Sequence, residues 1–279
     1  MRPFLVLILV VTLQLGLSLA WSAEDLEPPL RRANLMARTN LPAALQLCDQ
    51  MVAGYPSNTQ PLVLRARLQE QSGQWDAALR DLSAAIKLDP QTASFWQGRG
   101  EVNFKAGHFP ESVADFDRVL ELAPAQAPYH WQRGISLYYA GRFADGRKQF
   151  ESHRSVNPND VENSAWHFLC AAREQGVTNA RAAMIAVGTD GRIPMAEIDA
   201  LYRGTGTVEA VVATAQKAGG ARARDAIFYA HLYLGLYYEV LGQAGKAREH
   251  ILLAAADPTA NHYMGDVARV HARQFKAAP

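Results

Sequence analysis

Cysteine is nearly absent from this chain: Cys48 and Cys170 are its two cysteines in 279 residues. So few thiols exclude a disulfide-stapled scaffold and any zinc module built on paired cysteines. An excess of one charge is missing too, with 28 Lys and Arg against 27 Asp and Glu, for a formal net charge of +1. That balance gives no general attraction to nucleic acid or to an anionic membrane surface. No G-x-S-x-G nucleophile turn occurs, and neither cysteine sits beside an activating base in a recognisable motif. Gly204-Thr205-Gly206 precedes a helical stretch, but no strand comes before it and no Lys-Ser/Thr pair follows, so it reads as a plain loop. His167 and Cys170 are three residues apart and His262 and His271 nine apart, and two ligands do not make a metal site. The expectation is a protein without catalytic residues, cofactor or metal. An enzyme would have to build its site within 161–227, the least regular part of the chain.

Long apolar runs are absent after the N-terminus. Arg2 precedes an apolar run from Phe4 to about Leu19, followed by small residues in Ser18-Leu19-Ala20 and Ala20-Trp21-Ser22. A basic start, an apolar middle and small residues at the end describe a secretory signal peptide over 1–22. Gln14, Gly16 and Ser18 weaken the run as a permanent span, which needs ~20 apolar residues. An uncleaved anchor is the alternative. No cysteine lies near the cleavage region, so a lipid-modified N-terminus is not expected. The mature protein is therefore expected to be exported, periplasmic or secreted, with no stable membrane span after cleavage.

What the chain does have is a period. Pro56, Pro90, Pro124 and Pro158 are 34 residues apart, and Gly73, Gly107 and Gly141 keep the same step. Three clear repeats follow, 59–92, 93–126 and 127–160. In each, a helix ends before the glycine, and a second ends just before the proline, which cannot continue it. Small residues recur at one position (Ala66, Gly100, Gly134) and again at another (Ala78, Ser112, Gly146), where helices must approach closely. Large ones recur at Leu82, Phe116 and Phe150, which can fill the space between hairpins. One hairpin cannot bury such a face alone, but a stack can. The acidic residues of the second helices, Asp76, Asp81, Glu111 and Asp115, read as solvated charges.

The pattern fades at both ends. Residues 23–58 keep Ala44, Cys48 and Pro56 in phase but with a short first helix. In 228–279 the phase returns at Gly235, Tyr238, Gly242, Ala247 and Ile251, followed by a last helix from His262 to about Phe275. Between them, 161–227 has lost the consensus but reads as helical hairpins: Val161–Arg173, an apolar stretch over Ala180–Val187, a helix opened by Pro194, and one capped by Thr207. No strand-like alternation is present, so the fold class is all-α. In a linear stack, Cys48 and Cys170 lie far apart and read as buried apolar thiols.

The period and the segments GQWDAALRDLSAAIKLDP and GHFPESVADFDRVLELAP resemble the tetratricopeptide repeat family, with high specificity over 59–160. The resemblance implies a helical-hairpin solenoid whose first helices line an inner groove for a peptide or helix of a protein partner. Carried onto matching positions, it implies that Arg67, Glu101, Phe104, Trp131, Ile135, Tyr138 and Tyr139 face that groove. Trp131, Ile135 and Tyr138 share one helical face, and aromatics with polar tips suit a binding surface. The same residues could instead pack against the chain's own C-terminal part, and both readings stand open at this point. QRGISLYYAGR at 132–142 and FYAHLYLGLYY at 228–238 are also similar to the new lipoprotein I family of bacterial envelope adaptors, which implies a periplasmic scaffold, often dimeric. That family is lipidated, and this chain lacks the cysteine for it. The functional expectation is a non-catalytic scaffold, with a structural or oligomerisation module as its alternative and a homodimer possible.

Overall fold

The computed structural model describes residues 26–220 and 222–277. The expected signal segment, 1–22, lies outside the described residues. No helix among the described residues is long and apolar enough to cross a membrane. The described residues are helical, with no strand among them.

Six hairpin helices carry the regular region and its N-terminal extension: α1 (Glu27–Met36), α2 (Leu41–Gly54), α3 (Thr59–Gln71), α4 (Trp75–Leu88), α5 (Ala93–Ala106) and α6 (Phe109–Leu122). They pair in order, α1 with α2, α3 with α4 and α5 with α6, and each pair stacks on the next. The turn glycines adopt the left-handed conformation that their position requires, with φ of 74° at Gly73 and 88° at Gly107. The small–large pairing inferred from the repeat is real. A Cβ built on Gly134 would lie 2.6 Å from the Phe150 ring, and one on Gly100 at the same distance from Phe116.

The fourth hairpin, α7 (Trp131–Tyr139) and α8 (Phe143–His153), departs from the template at both ends. Pro124–Tyr129 forms a 3-10 turn, so α7 starts at Trp131 rather than near 127. Pro128 supplies no N–H and disfavours a helical residue before it, which delays the helix. His130 then caps α7, its Nδ1 accepting from the Arg133 N–H at 3.3 Å. At the far end, the Ser155 hydroxyl donates to the Ser152 carbonyl, and Asn157 N–H to that of His153. These local bonds turn the chain before Pro158 is reached.

One expectation is corrected here. Asp81 and Asp115 are not solvated: they are 6% and 3% exposed. Arg65 grips Asp81 through Nε and Nη2 at 2.7 and 2.6 Å, and Arg99 grips Asp115 the same way, at 3.0 and 2.6 Å. Arg133 repeats the reach with a neutral partner, donating to Gln149 at 3.1 Å, and pairs with Asp117 instead. The arginines 65, 99 and 133 keep the 34-residue step, and the first two tie their hairpins internally through a planar, two-pronged guanidinium, whereas Arg133 bridges its own hairpin to the preceding one. Asp76 and Glu111 are exposed, as expected.

Beyond the regular hairpins come α9 (Val161–Gln175), α10 (Val177–Ala183), α11 (Met195–Arg203), α12 (Val208–Lys217), α13 (Arg222–Val240), α14 (Ala244–Ala255) and α15 (Tyr263–Ala277). The apolar stretch around Ala180 is helical only to Ala183. Residues 184–194 then run without regular structure, their carbonyls partly served by side chains, as where Ser164 and Arg203 both donate to Ile185. The largest apolar cluster spans this whole half, from Phe104 and Ile135 through Trp166, Tyr202 and Tyr233 to Val267. Cys48 and Cys170 are free and buried. Burial disfavours both thiolates, pushing Cys48 up to about 11 and Cys170 further.

Candidate functional site

The inner face of the first helices is divided in two by the chain itself. Helix α15 packs on α14 and lies across α5, so the face made by α5 and α7 is occupied by the protein's own last helix. Tyr263 stacks on Phe104 with ring centroids 5.4 Å apart and meets Trp131 edge-on at 5.0 Å. Further along, the hydroxyl of Tyr139 bonds His271 Nδ1 at 2.9 Å. Lys105 pairs with Asp266 at 2.9 Å, and the Arg273 guanidinium donates to the Lys105 carbonyl while lying 4.6 Å from the centre of the Trp75 ring.

This arrangement distributes the seven groove residues into three environments. Phe104, Ile135 and Tyr138 are core, at 0%, 1% and 5% exposure. The Tyr138 hydroxyl donates to Glu239, at the end of α13, at 3.2 Å, and burial pushes its ionisation, and that of Tyr139, well above the ordinary tyrosine range. Glu101 is held between helices, accepting from Gln97 and Gln132 at 2.7 and 2.9 Å. Its carboxyl is raised, chiefly by burial, with the Gln97 and Gln132 bonds and the nearby Lys105 offsetting this only in part. Trp131 is half-buried and forms one wall of a cavity of about 310 Å³ with Ile135, Phe150, Trp166, Tyr229 and Tyr263. Arg67 alone of the seven is exposed. Of the two readings left open by the sequence, internal packing is the one the structure displays for the aromatic part of the face.

The N-terminal part of the inner face stays open. Two clefts of about 600 Å³ each meet at Arg67. The first lies between α1 and α3 and is largely apolar, with Leu30, Leu35, Val63, Leu64 and Phe95 on its walls. The exposed Leu35, at 58%, stands at its rim. The second lies between α3, α5 and α15, with Arg67, Trp75, Lys105, Arg269 and Arg273 around two acids, Glu70 and Asp266. Sequence reasoning found Arg67 here but missed Arg269 and Arg273. Nothing in the repeat places α15 against α5, so no periodic signal could have pointed to them.

Several charged residues in and around 161–227 make structural ties. Arg192 joins Asp160, Glu162 and Asp190, and the Tyr233 hydroxyl bonds Glu162 at 2.6 Å. This ties α9 to the loop before α11 and to α13. His167 faces Glu151 at 3.4 Å. Among the described residues, no group of three or more His, Cys, Asp or Glu converges as metal ligands.

A sequence profile described as tetratricopeptide repeat matches residues 63–127. No curated protein matches the chain at a significant level. Among solved structures, a tetratricopeptide repeat protein from Parabacteroides merdae superposes with a TM-score of 0.55 at 13% identity, covering 88% of this chain and 97% of that one. A crystal structure of MamA protein superposes with a TM-score of 0.52 at 15% identity, covering 57% of this chain and 87% of that one. At such identities these likenesses speak for the fold alone. The matching profile assigns residues 63–127 to the tetratricopeptide repeat, and the 34-residue period and paired helices give the described chain an all-α, helical-hairpin solenoid fold like that of such proteins.

Proposed function

We propose that the protein is a non-catalytic scaffold that docks a peptide segment of a protein partner on the open, N-terminal part of its inner face. The observation that carries this reading is the pair of clefts meeting at Arg67, one beside α1 and the other at the edge of α15. Preformed hairpins keep the ordering cost on the protein side low, so a modest apolar contact suffices for binding. The covered stretch illustrates the principle within the molecule, since α15 itself is a helix held on that face by aromatic stacking and a few polar ties. The sequence of 1–22 supports export to the cell envelope as the setting.

The test uses the full chain and a random peptide-display selection. Selected peptides should lose binding to Val63→Asp, which puts a charge on the apolar cleft wall, and keep it with Arg80→Ala on an exposed second-helix position. Peptides indifferent to Val63→Asp would place docking elsewhere and overturn the reading.

A further inference from the structure

We infer that the partner segment is acidic: an apolar anchor seated between α1 and α3, followed by carboxylates received by Arg67 and Arg273 in the cleft between the repeats and α15. The inference rests on the docking reading above and names the chemistry of what docks.

The charge of this cleft differs from that of the chain. Four cations, Arg67, Lys105, Arg269 and Arg273, line it with two acids, Glu70 and Asp266, although the whole chain carries a formal charge of only +1. Both acids are already engaged. Lys105 holds Glu70 at 2.6 Å and Asp266 at 2.9 Å, and Arg269 holds Asp266 at 2.8 Å. Arg67 and Arg273 are left with neutral acceptors: Arg67 donates to the Asn34 side chain, and Arg273 to the Lys105 carbonyl. Among the described residues neither guanidinium forms an ion pair.

Arg273 is the more telling of the two. Its burial disfavours the guanidinium's charge, Arg269 adds repulsion, and Asp266 offsets this only in part. A half-buried cation whose hydrogen bond goes to a carbonyl is a site where an arriving carboxylate gains most, because a guanidinium fork matches a carboxylate and the cleft's lower dielectric strengthens the pair. Trp75, with the Arg273 guanidinium 4.6 Å from its ring centre, forms the aromatic wall at this end of the cleft. The neighbouring cleft, with Leu35, Val63 and Phe95, supplies apolar contact on the other side of Arg67. The two clefts meet at Arg67, so the partner's apolar anchor and its carboxylates must be near neighbours in sequence. Arg273 comes from α15, so the site exists only while that helix is docked.

Fluorescence anisotropy on the full chain tests this with a labelled peptide of two leucines, a glycine and four glutamates. The expected result is saturable binding that weakens as salt rises from about 50 to 500 mM, as screening of a charge-based contact requires. A version with glutamines in place of glutamates should bind at least tenfold more weakly. Arg67→Gln should weaken the glutamate peptide about tenfold at unchanged circular dichroism and melting, because that side chain is exposed and bonded only to Asn34. Arg273→Gln should do the same, and Arg67→Lys should restore part of the loss. Glutamine peptide binding as tightly as glutamate peptide, with Val63→Asp still abolishing both, would overturn the acidic preference while leaving the docking reading intact. Absence of binding by either peptide would overturn both. Equal binding of a lysine version, competition by millimolar inorganic phosphate alone, or concentration-dependent self-association abolished by Arg67→Gln would assign the cleft to another occupant and overturn the inference.

Discussion

The two ends of the inner face are built from first helices of the same repeat and have opposite fates. At the N-terminal end, Val63 and Arg67 line open clefts, the first beside α1 and the second at the edge of α15. At the C-terminal end, the equivalent helices present Phe104, Ile135 and Tyr138, which are buried, Phe104 under Tyr263 of α15 and Tyr138 against Trp166 of α9 and Glu239 of α13. The difference is in the side chains rather than the backbone. Three large apolar groups on adjoining helices expose too much surface to stay wet, whereas a valine and an arginine do not. A repeat fixes where a groove can be, and the composition of each repeat decides whether the chain fills it.

The largest effect that separates the two ends is on stability. Phe104→Ala should cost about 3–5 kcal/mol, since the ring is fully buried and touches Phe109, Tyr139 and Tyr263. Val63→Asp, on the open end, should cost under about 1 kcal/mol. Urea denaturation of both variants measures the contrast. Similar costs would mean that α15 does not cover the face in solution.

Next in size is a pH effect at the hinge between the regular hairpins. His130 is 5% exposed, and burial first, then Arg133, holds its ionisation down at about 4. The unfolded chain binds this proton near 6.5, so the contribution of His130 is complete above that value and is lost as pH falls from 6.5 toward 4. The loss should approach about 3 kcal/mol for this group. Protonation also removes the Nδ1 lone pair that caps α7. His130→Asn keeps a cap and removes the titration, so its stability between pH 7 and 4.5 should decline less than that of the parent protein. Parallel declines would show that His130 remains accessible to protons in the fold.

How much of this was legible in the sequence follows the same division. The 34-residue step gave the hairpins, the turn glycines and the Gly134–Phe150 and Gly100–Phe116 contacts, because each depends on neighbours a fixed distance along the chain. It also contained the Arg65–Asp81 and Arg99–Asp115 ties, whose partners share a spacing of 16 residues, though an acidic residue on a second helix looks solvated until its partner is known. The delay of α7 was written in Pro128. What could not be read is where α15 goes. Its contacts with Phe104, Tyr139 and Trp75 join residues well over a hundred positions apart, and no local pattern encodes them. The candidate site inherits this limit, since half of its charged wall comes from that helix.

The smallest expected effect examines the seam between the two ends. Tyr139→Phe removes the hydroxyl that reaches His271 and leaves the ring, so the lost bond alone should cost about 1 kcal/mol. His271 is 2% exposed, and its other ring nitrogen lies 3.7 Å from Glu239, so the orphaned Nδ1 has no access to water. Burial first, opposed by Glu239 and aided by Arg173, lowers the ionisation of His271. A buried ring with one unpaired nitrogen can be relieved by loosening α15, and the readout is therefore local rather than global. Hydrogen exchange of α15 amides should quicken by about tenfold while those of α3 and α4 stay unchanged. Because Arg273 lies on the same helix, the glutamate peptide should bind Tyr139→Phe somewhat more weakly. If α15 and α3 quicken together, the two ends of the inner face unfold as one unit, and the contrast between them is one of surface chemistry alone.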